Sequence, residues 1–420
     1  MDSTPIKIIK KNEKVLILNP ENSHWVKMSQ KIYDKYSVNW SSFSDYLDRK
    51  FGLFNKNTRK DSIRSVYYSV TGKCNLNCDF CSMSSGTGVS TKNDLSIEEI
   101  RQVVIPKIRE VHPKTIVITG GEPFVRKDIT AILQAFKEEF GKESILLQTN
   151  GILLNKQTIQ EATQYVGAIE ISIENIFDNE LTLQKMKQKF NDIVAHGCGL
   201  KFSFVINSYT SQYLSEALRL TYEYDAACLL RFVSEVGRAA TGNTTMNYTD
   251  KIDIYVDMLS FVLEKGLLSD NIAEVFLSSV QAKSECGAYG RTWGIHPDGG
   301  IYMCSNFQTD DFKLGNIRET GAKQIINNLN VKKEDENIKS VFLVNRREKC
   351  NDCDIQYFCT GPCAAEIIEK EKKEEDIYSD CDLKKLFVNF MLYEFDKVET
   401  KQENLVLLLE YLKKERMIMA

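Results

Sequence analysis

Three closely spaced cysteines, Cys74, Cys78 and Cys81, carry the clearest chemical potential in this chain. They follow an apolar run, 66–70, that has the composition of a β-strand. The spacing CxxxCxxC places three thiolates on one short loop, and cysteine thiolates are the usual ligands of iron–sulfur clusters. Because a cubane cluster takes four ligands, three cysteines leave one iron open to an outside ligand.

The spacing, together with the aromatic Phe80 directly before the last cysteine, resembles the signature of radical S-adenosylmethionine (SAM) enzymes. The resemblance implies that the open iron binds the amino and carboxylate groups of SAM, and that Phe80 contacts the adenine. One electron from the cluster would then cleave SAM to a 5′-deoxyadenosyl radical, which abstracts a hydrogen atom from the substrate. A chance grouping of cysteines and a zinc site are the alternatives at this point.

A glycine-rich turn, Thr119-Gly120-Gly121-Glu122-Pro123, follows the second predicted strand. Two glycines allow the backbone to approach a ligand closely, and Glu122 can accept hydrogen bonds from an ammonium group. The turn is similar to the radical SAM motif that binds the amino group of SAM. A plain strand-to-helix turn would use the same residues.

Polar residues at the ends of two later strands complete the predicted SAM pocket, namely Asn150, Ser172 and Glu174. The resemblance implies that Ser172 contacts the methionine carboxylate and that Glu174 lies near the ribose, where relatives commonly carry aspartate. Asn150 is either a turn former or a pocket residue. Arg231 and Arg238 flank the end of the sixth strand, where an arginine could bind a carboxylate through two hydrogen bonds or lie on the surface.

Seven further cysteines cluster towards the C-terminus, at Cys286, Cys304, Cys350, Cys353, Cys359, Cys363 and Cys381. Their spacing is similar to the SPASM extension of the family, which carries two additional [4Fe–4S] clusters. The resemblance implies one set of four ligands, Cys350, Cys353, Cys359 and Cys381, and one set of three, Cys286, Cys304 and Cys363.

The set of three lacks a cysteine that anaerobic sulfatase-maturing enzymes, which share the pattern, have between its first two positions. Either a ligand comes from elsewhere in the chain or one iron is open, and an open iron could bind a substrate thiolate. A pair of zinc sites is the alternative for the whole block, because CxxC pairs also suit zinc.

The composition indicates a folded protein of two or three domains. The chain has 420 residues, 43% of them hydrophobic, and a formal net charge of −4, which gives no sign of a nucleic-acid surface. It has neither a transmembrane-length apolar run nor a signal-peptide core, so we expect a cytoplasmic protein without a membrane partner. The isolated Cys198 and Cys228 are expected to be buried structural thiols.

From residue 65 onward, strand-length apolar runs alternate with amphipathic helical stretches, which indicates an α/β fold with parallel strands and right-handed crossovers. Six strands are predicted, at 66–70, 115–119, 144–149, 168–173, 202–206 and 228–233. The first helix, 96–111, opens with a capping box formed by Ser96 and Glu99. Six such units resemble the partial (β/α)6 barrel of the radical SAM family, in which ligands lie at the carboxyl ends of the strands.

Four parts of the chain are predicted in order. They are a small α+β N-terminal appendage (1–60), the radical SAM partial barrel (61–275), a cysteine-rich SPASM domain (276–385) and a C-terminal helical segment (386–420). Within the appendage, short apolar runs predict two strands, 14–18 and 25–28, followed by a helix that ends at Gly52. The appendage resembles a reduced peptide-recognition domain of peptide-modifying enzymes; the alternative is a cap over the edge of the barrel.

The resemblance to peptide-modifying maturases and anaerobic sulfatase-maturing enzymes implies three [4Fe–4S] clusters and SAM as cofactors. An auxiliary cluster can accept the electron that a substrate radical must lose before a bond forms. The leading hypothesis is a thioether link from a cysteine of a ribosomally made precursor peptide, with a flavodoxin or ferredoxin as electron donor. The alternatives are formylglycine formation in a sulfatase, carbon–carbon crosslinking of peptide side chains and, as a different class, a non-catalytic iron–sulfur electron carrier.

No general base stands out in the sequence. The histidines His24, His112, His196 and His296 are scattered and are expected to be structural. An acidic residue at the mouth of the barrel, such as Glu235, is the candidate base.

Overall fold

A large mixed sheet with covering helices forms the centre of the molecule, and a small antiparallel sheet lies at the N-terminus. The computed structural model describes residues 6–54, 62–241, 246–371 and 377–419, so the boundary predicted between 60 and 61 lies outside the described residues. No helix within these ranges is long and apolar enough to cross a bilayer.

The strands are β1 Lys7–Lys11, β2 Lys14–Leu18, β3 Trp25–Ser29, β4 Ser65–Ser69, β5 Thr115–Thr119, β6 Ile145–Thr149, β7 Ala168–Ser172, β8 Gly199–Ile206, β9 Ala227–Phe232, β10 Thr292–Ile295, β11 Gly300–Tyr302 and β12 Lys313–Asn316. The α-helices are α1 Gln30–Ser37, α2 Trp40–Phe51, α3 Ile97–Glu99, α4 Ile105–Glu110, α5 Ile129–Phe140, α6 Lys156–Tyr165, α7 Glu180–Ala195, α8 Leu214–Glu223, α9 Tyr248–Lys265, α10 Asp270–Phe276, α11 Ala322–Glu334, α12 Glu336–Phe342, α13 Glu348–Asn351, α14 Gln356–Cys359, α15 Ala364–Glu371, α16 Cys381–Asn389 and α17 Lys401–Met419.

Strands β4 to β9 are parallel and adjacent in chain order, which confirms the predicted α/β partial barrel. Side chains alternate along each strand. On β4, Val66 and Tyr68 are fully buried towards the helices, whereas Tyr67 and Ser69 face the interior of the barrel. Because the sheet ends at β9 on one side and β12 on the other, the barrel is open.

The predicted first helix of the barrel is interrupted by a π-helical turn, Ile100–Val104. Its start is as expected, since the Ser96 N–H donates to Glu99 Oε2 (2.8 Å) and the Glu99 N–H donates to Ser96 Oγ (3.2 Å). The wider turn ends two residues before Pro106, which has no N–H and whose ring would press on the carbonyl four residues earlier in a regular α-helix.

The cysteine-rich region adds three strands to the barrel sheet. Strand β10 runs parallel to β4, with Trp293 opposite Val66, and β11 and β12 follow as antiparallel neighbours. The auxiliary region is therefore continuous with the barrel through backbone hydrogen bonds, and its core contains the fully buried Trp293, Ile295 and Ile301.

The N-terminal appendage contains three strands rather than the two expected, because β1 pairs with β2 along its whole length. The central strand β2 is buried on both faces. Val15 and Ile17 pack against α2, whereas Leu16 and Leu18 pack against a cluster that includes Ile355 of the cysteine-rich region. The appendage thus shares a core with that region.

The C-terminal segment forms two helices instead of one continuous element. Helix α16 and a π-helical turn, Phe390–Glu394, are followed by a loop and then by α17. Asn404 holds the loop through a hydrogen bond from its Nδ2 to the Asp396 carbonyl (2.8 Å). The boundary predicted between 385 and 386 falls inside α16.

We expect Phe342→Ala to destabilise the auxiliary region, because Phe342 is fully buried and its ring centroid lies 5.5 to 6.1 Å from those of Tyr289, Phe307 and Phe312. Removing such a side chain costs about 3–5 kcal/mol. Urea unfolding of the cluster-loaded protein, followed by circular dichroism, measures the change. The control Val331→Ala removes a side chain that is 72% exposed; equal midpoints for the two variants would contradict the packing described.

Candidate active site

The loop that carries the cysteine triad is closed at its base by backbone contacts. Lys73 and Gly86 form a parallel β-bridge, and the Cys74 N–H donates to the Gly86 carbonyl (3.1 Å). A Cβ on Gly86 would collide with Asn77 Oδ1, which accepts a hydrogen bond from the Thr87 N–H (3.0 Å). The loop therefore has a fixed base before any ligand binds.

A second segment, the turn after β9, lies directly against the triad loop. The Arg238 N–H donates to the Cys81 carbonyl (3.1 Å), and Arg238 Nε donates to the Cys78 carbonyl (2.9 Å). Gly237 has a positive φ of 64°, and a Cβ there would collide with the Ser82 carbonyl. Only glycine allows this approach. The turn after β9, the last strand of the barrel, therefore fixes the triad loop that follows β4, the first strand.

Hydrogen-bond donors also surround the cysteine sulfurs. The Leu76 N–H lies 3.4 Å from Cys74 Sγ, and the side-chain amides of Asn150 and Asn175 lie 3.9 Å from Cys74 Sγ and 3.6 Å from Cys78 Sγ. Burial raises the pKa of Cys78 to about 11, which keeps the free thiol protonated, whereas metal binding deprotonates a thiol outright. Donors to sulfur favour the thiolate form and influence the potential of a bound cluster.

The triad loop borders a cavity of about 410 Å³ inside the barrel, here called the lumen cavity. This volume lies in the usual range for a small-ligand site. The predicted site residues in its wall are Cys74, Cys78, Phe80, Cys81, Gly120, Gly121, Asn150, Ser172 and Glu174. Asn150 Nδ2 donates to Asn75 Oδ1 (2.8 Å), so Asn150 connects the end of β6 to the triad loop as well as lining the cavity.

The glycine turn after β5 packs on the start of the triad loop. The Gly121 N–H donates to the Thr71 carbonyl (2.7 Å), and the Glu122 N–H donates to the Lys73 carbonyl (2.9 Å). A Cβ on Gly120 would lie 2.6 Å from the Thr71 carbonyl oxygen, and a Cβ on Gly121 would collide with the Lys73 carbonyl. The two glycines thus permit contact between two backbone segments, in addition to lining the lumen cavity.

Glu122 lies beneath the lumen cavity and is not among the residues of its wall. It is fully buried. Its Oε1 accepts from the Phe124 N–H (3.0 Å) and Thr149 Oγ1 (2.8 Å), and its Oε2 accepts from the Asn150 N–H (2.8 Å). Pro123 is also buried and begins a 3₁₀ turn. Glu122 therefore joins the ends of β5 and β6 and orients Asn150.

Two buried polar atoms in the lumen cavity have no hydrogen-bond partner in the described part of the chain. They are Oε2 of Glu174 and Nη2 of Arg238. Burial raises the pKa of Glu174 to about 7. An unpaired buried donor or acceptor costs free energy unless a ligand pairs it. The pair fits SAM, because a ribose hydroxyl can donate to a carboxylate and an arginine can donate to the methionine carboxylate.

The C-terminal cysteines form the two expected groups, and all twelve cysteines of the chain are free thiols. Burial raises the pKa of Cys304 to about 11, and the charges of Cys363 and Cys286 add to the effect. Burial likewise raises the pKa of Cys381 to about 11, with further contributions from Cys359 and Cys350.

Burial raises the pKa of Cys350, and the charges of Cys353 and Cys359 raise it further. Cys350, Cys353, Cys359 and Cys381 thus lie near one another as the group of four. In the ranges that the structure describes, no three His, Cys, Asp or Glu side chains converge as ligands of a single ion do. A cluster distributes its thiolates over several irons, so it does not require such convergence. The two groups of cysteines therefore suit cluster ligation.

Glu235, the candidate base from the sequence, does not line the lumen cavity. Its Oε1 lies 3.5 Å from Lys370 Nζ in a largely buried ion pair, in a separate cavity of about 450 Å³. His296, expected to be structural, does line the lumen cavity. Cys198 is buried and Cys228 is half-buried, in line with structural thiols.

Several residues of the site were missed by sequence reasoning. Asn75, Asn175 and Ser203 all bond to predicted site residues, the last through an Oγ–Oγ distance of 3.2 Å to Ser172. Asn175 directly follows Glu174, which is the single local signal that could have pointed to it. The sequence indicates that Arg238 could bind a carboxylate, but it does not predict the hydrogen bonds from Arg238 to the carbonyls of Cys78 and Cys81.

We expect Glu122→Gln to weaken SAM binding through misplacement of Asn150. The new amide would turn one acceptor oxygen into a donor facing an N–H group, at a cost of about 1–3 kcal/mol. Equilibrium dialysis of SAM with the cluster-loaded variant measures the loss. The exposed Glu110→Gln is the matched control, and unchanged SAM affinity in Glu122→Gln would contradict the role assigned here.

We expect replacement of either auxiliary group to remove one cluster and leave the others. A Cys350→Ala, Cys381→Ala double variant and a Cys286→Ala, Cys304→Ala double variant should each lose about one third of the bound iron, since each removes the ligands of one of three clusters. Iron and sulfide analysis with Mössbauer spectroscopy gives the count. Loss of all iron from a folded variant would show that the groups are not independent sites.

Comparison with known proteins assigns families to two parts of this chain. Residues 68–197 match the Radical SAM superfamily, and residues 286–354 match the iron–sulfur cluster-binding domain SPASM. A curated relative, GTP 3′,8-cyclase of Alkaliphilus metalliredigens, is 36% identical over 131 residues, which cover 29% of this chain and 38% of that enzyme. The chain thus matches well under half the length of that relative.

Two kinds of solved structure share the fold over most of their length. Streptococcus suis SuiB bound to S-adenosylmethionine is 15% identical, with a TM-score of 0.55, and the match covers 89% of this chain and 97% of SuiB. The structure of anSMEcpe with bound AdoMet is 17% identical, also with a TM-score of 0.55, covering 83% of this chain and 98% of anSMEcpe.

The family matches coincide with the sites described above. The cysteine triad and the glycine turn lie within 68–197, and the auxiliary cysteines begin at the first residue of 286–354. The cofactors of these domains are SAM and iron–sulfur clusters, which the lumen cavity and the cysteine groups can accommodate. This chain therefore carries a segment that matches the Radical SAM superfamily and, after it, a segment that matches the SPASM domain.

Proposed function

We propose that this enzyme oxidatively modifies a ribosomally made peptide and that the product is a thioether formed from a peptide cysteine. The position of Cys304 carries the proposal. The residues that follow it, Ser305 and Asn306, line the lumen cavity together with the triad cysteines. Burial and then the charge of Cys304 raise the pKa of Tyr67, which lies in the same wall. An auxiliary site thus borders the cavity in which a radical would form.

The triad cysteines are the proposed ligands of the SAM-binding cluster. When bound, that cluster supplies the electron that releases a 5′-deoxyadenosyl radical from SAM. The chain itself orients the nucleotide, with Ser172 and Arg238 towards its carboxylate, Glu174 towards its ribose and Phe80 towards its adenine. A flavodoxin or ferredoxin is the proposed electron donor.

The group of three cysteines is the proposed partner of the peptide thiol. Cys286, Cys304 and Cys363 can bind three irons of a cubane and leave the fourth for an outside ligand. The N–H groups of Ala365 and Glu366 donate to the Cys363 sulfur at the start of α15 and partly offset the burial that raises the pKa of Cys363. A peptide cysteine directed to this open position would be held beside the lumen cavity.

Features of the N-terminal appendage support a peptide as substrate. Strand β3 pairs with β2, and no described strand pairs with its other edge, so a peptide could add there as a further strand. Nearby helices α1 and α2 expose the aromatic residues Tyr36, Trp40 and Tyr46. SuiB was solved bound to precursor peptide SuiA (TM-score 0.55) and anSMEcpe with a Cp18Cys peptide (TM-score 0.53), at 14% and 15% identity.

A second candidate is oxidation of a sulfatase cysteine or serine to formylglycine. The observation in its favour is that anSMEcpe matches this fold with the same TM-score as SuiB, 0.55. Both candidates use a radical followed by transfer of an electron to an auxiliary site, so they are distinguished by the product and not by the cofactors.

We expect anaerobic incubation of the cluster-loaded enzyme with SAM, reductant and a synthetic cysteine-containing precursor peptide to remove two hydrogen atoms from the peptide and abolish one free thiol. Tandem mass spectrometry locates the new bond, and thiol alkylation tests the loss of the cysteine. An aldehyde in place of a thiol would support the sulfatase-type reaction. Loss of two hydrogens with every thiol still free would indicate a carbon–carbon crosslink and overturn the thioether.

The same incubation distinguishes an enzyme from an electron carrier. SAM binding and release of 5′-deoxyadenosine under dithionite are expected, and both should disappear when the triad cysteines are replaced by alanine. Retention of 5′-deoxyadenosine formation in that triple variant would contradict the assignment of the triad.

A further inference from the structure

The lumen cavity continues beyond the proposed SAM site towards Cys304. Ser172 is the last residue of β7, and Glu174 follows it in the turn beside the triad loop. Glu170 lies two residues before Ser172 on the same face of β7, roughly 7 Å deeper in the barrel at 3.3 Å per residue. Glu170 therefore faces the space between the nucleotide and the auxiliary group of three cysteines.

One carboxylate oxygen of Glu170 accepts a hydrogen bond, and the other is available to the cavity. Gln148 Nε2 donates to Glu170 Oε1 (2.9 Å), and the two residues are in register on β6 and β7. Oε2 has no hydrogen bond within the ranges that the structure describes. On the other side, Lys201 is in register with Glu170 on β8 but does not form an ion pair with it in those ranges.

Tyr67 connects this carboxylate to the auxiliary site. After burial, the charges of Cys304 and Glu170 raise the pKa of Tyr67, and Arg231 opposes them. Tyr67 is in register with Gly294 of β10, against which the backbone of Cys304 packs, and it lines the lumen cavity together with Glu170. A substrate side chain that lies between the nucleotide and Cys304 must pass this carboxylate.

The other acidic residues of the region are already engaged. Glu174 lies beside Cys78, whose pKa is raised by the charge of Glu174. The unpaired oxygen of Glu174 faces the proposed nucleotide position. Glu235 is paired with Lys370 outside the lumen cavity, and Glu366 accepts a hydrogen bond from the Glu235 N–H (3.3 Å). Glu170 is left as the lumen carboxylate with an oxygen available to the substrate.

We infer that Glu170 is the catalytic base that takes the proton released when the substrate is oxidised, an inference that rests on the proposed function. In this step the substrate carbon gives a hydrogen atom to the deoxyadenosyl group, forming 5′-deoxyadenosine. The peptide sulfur gives its proton to Glu170 and bonds to that carbon. The remaining electron passes to the auxiliary cluster, which is reduced by one electron. The peptide loses two hydrogen atoms, and the protons and electrons balance.

The test compares Glu170→Gln with the wild-type enzyme, both loaded with clusters, using the same synthetic cysteine-containing precursor peptide. Glutamine keeps the size and the contact with Gln148 but does not accept a proton. We expect iron content, SAM affinity, peptide affinity and the initial burst of 5′-deoxyadenosine to stay within about twofold. Crosslinked peptide formed per 5′-deoxyadenosine should fall by about 100-fold or more, the usual contribution of a general base.

Two further variants make the outcome decisive. Glu170→Asp retains a carboxylate and should restore part of the product yield, whereas a merely structural role would not be rescued in this way. Glu216→Gln, an exposed change on the outer helix α8, is the matched control and should behave as the wild type. If peptide affinity falls together with the yield in Glu170→Gln, the residue binds substrate and the inference of a base is overturned.

Failure of the inference is distinct from failure of the proposed function. If the wild-type enzyme does not remove two hydrogens from the peptide, the proposed function is wrong. If the wild-type enzyme crosslinks the peptide and Glu170→Gln gives the same yield per 5′-deoxyadenosine, the proposed function stands and Glu170 is not the base.

Discussion

Close backbone packing around the cysteine triad is the constraint on which the rest of the site depends. A loop with three thiols has little regular structure of its own, and burial raises the pKa of Cys74 and Cys78, which disfavours their thiolates without metal. Glycines at 120, 121 and 237 allow three backbone contacts, and Gly86 allows a contact with the Asn77 side chain, where a Cβ would collide. The triad is thereby held in place before a cluster forms, and the cavity beside it keeps its shape.

The side chains on the inner and outer faces of the barrel differ in polarity. Its outer layer is apolar and packs on the helices, whereas the inner layer carries serines, amides and carboxylates. Both carboxylate oxygens of the buried Glu122 accept hydrogen bonds, from three donors in total. Glu174 and Arg238 keep unpaired atoms instead, and such atoms in a cavity are expected where a polar ligand binds.

Extension of the sheet explains how the auxiliary region reaches the radical site. Strand β10 pairs with β4, the strand that leads into the triad loop, and the backbone of Cys304 and Ser305 packs against Gly294 of β10, so the cysteine that follows β11 is brought against the barrel. The appendage packs on the other side of this region through Leu16 and Leu18. The auxiliary sites thus lie between the proposed peptide-binding sheet and the lumen, where an electron acceptor is useful.

The sequence by itself determined the chemistry and the repeating elements. Ligand spacing in CxxxCxxC, the glycine turn and the alternation of strands with helices are local patterns, and the structure confirms the α/β partial barrel that they indicate. Tertiary structure alone decided which contacts hold the site. Arg238 reaches the carbonyl of Cys78 across 160 residues of chain, Glu122 points under the cavity and not into it, and β10 joins β4. Such pairings depend on which segments meet in space, and segments so far apart in the chain leave no periodicity or spacing from which their meeting could be predicted.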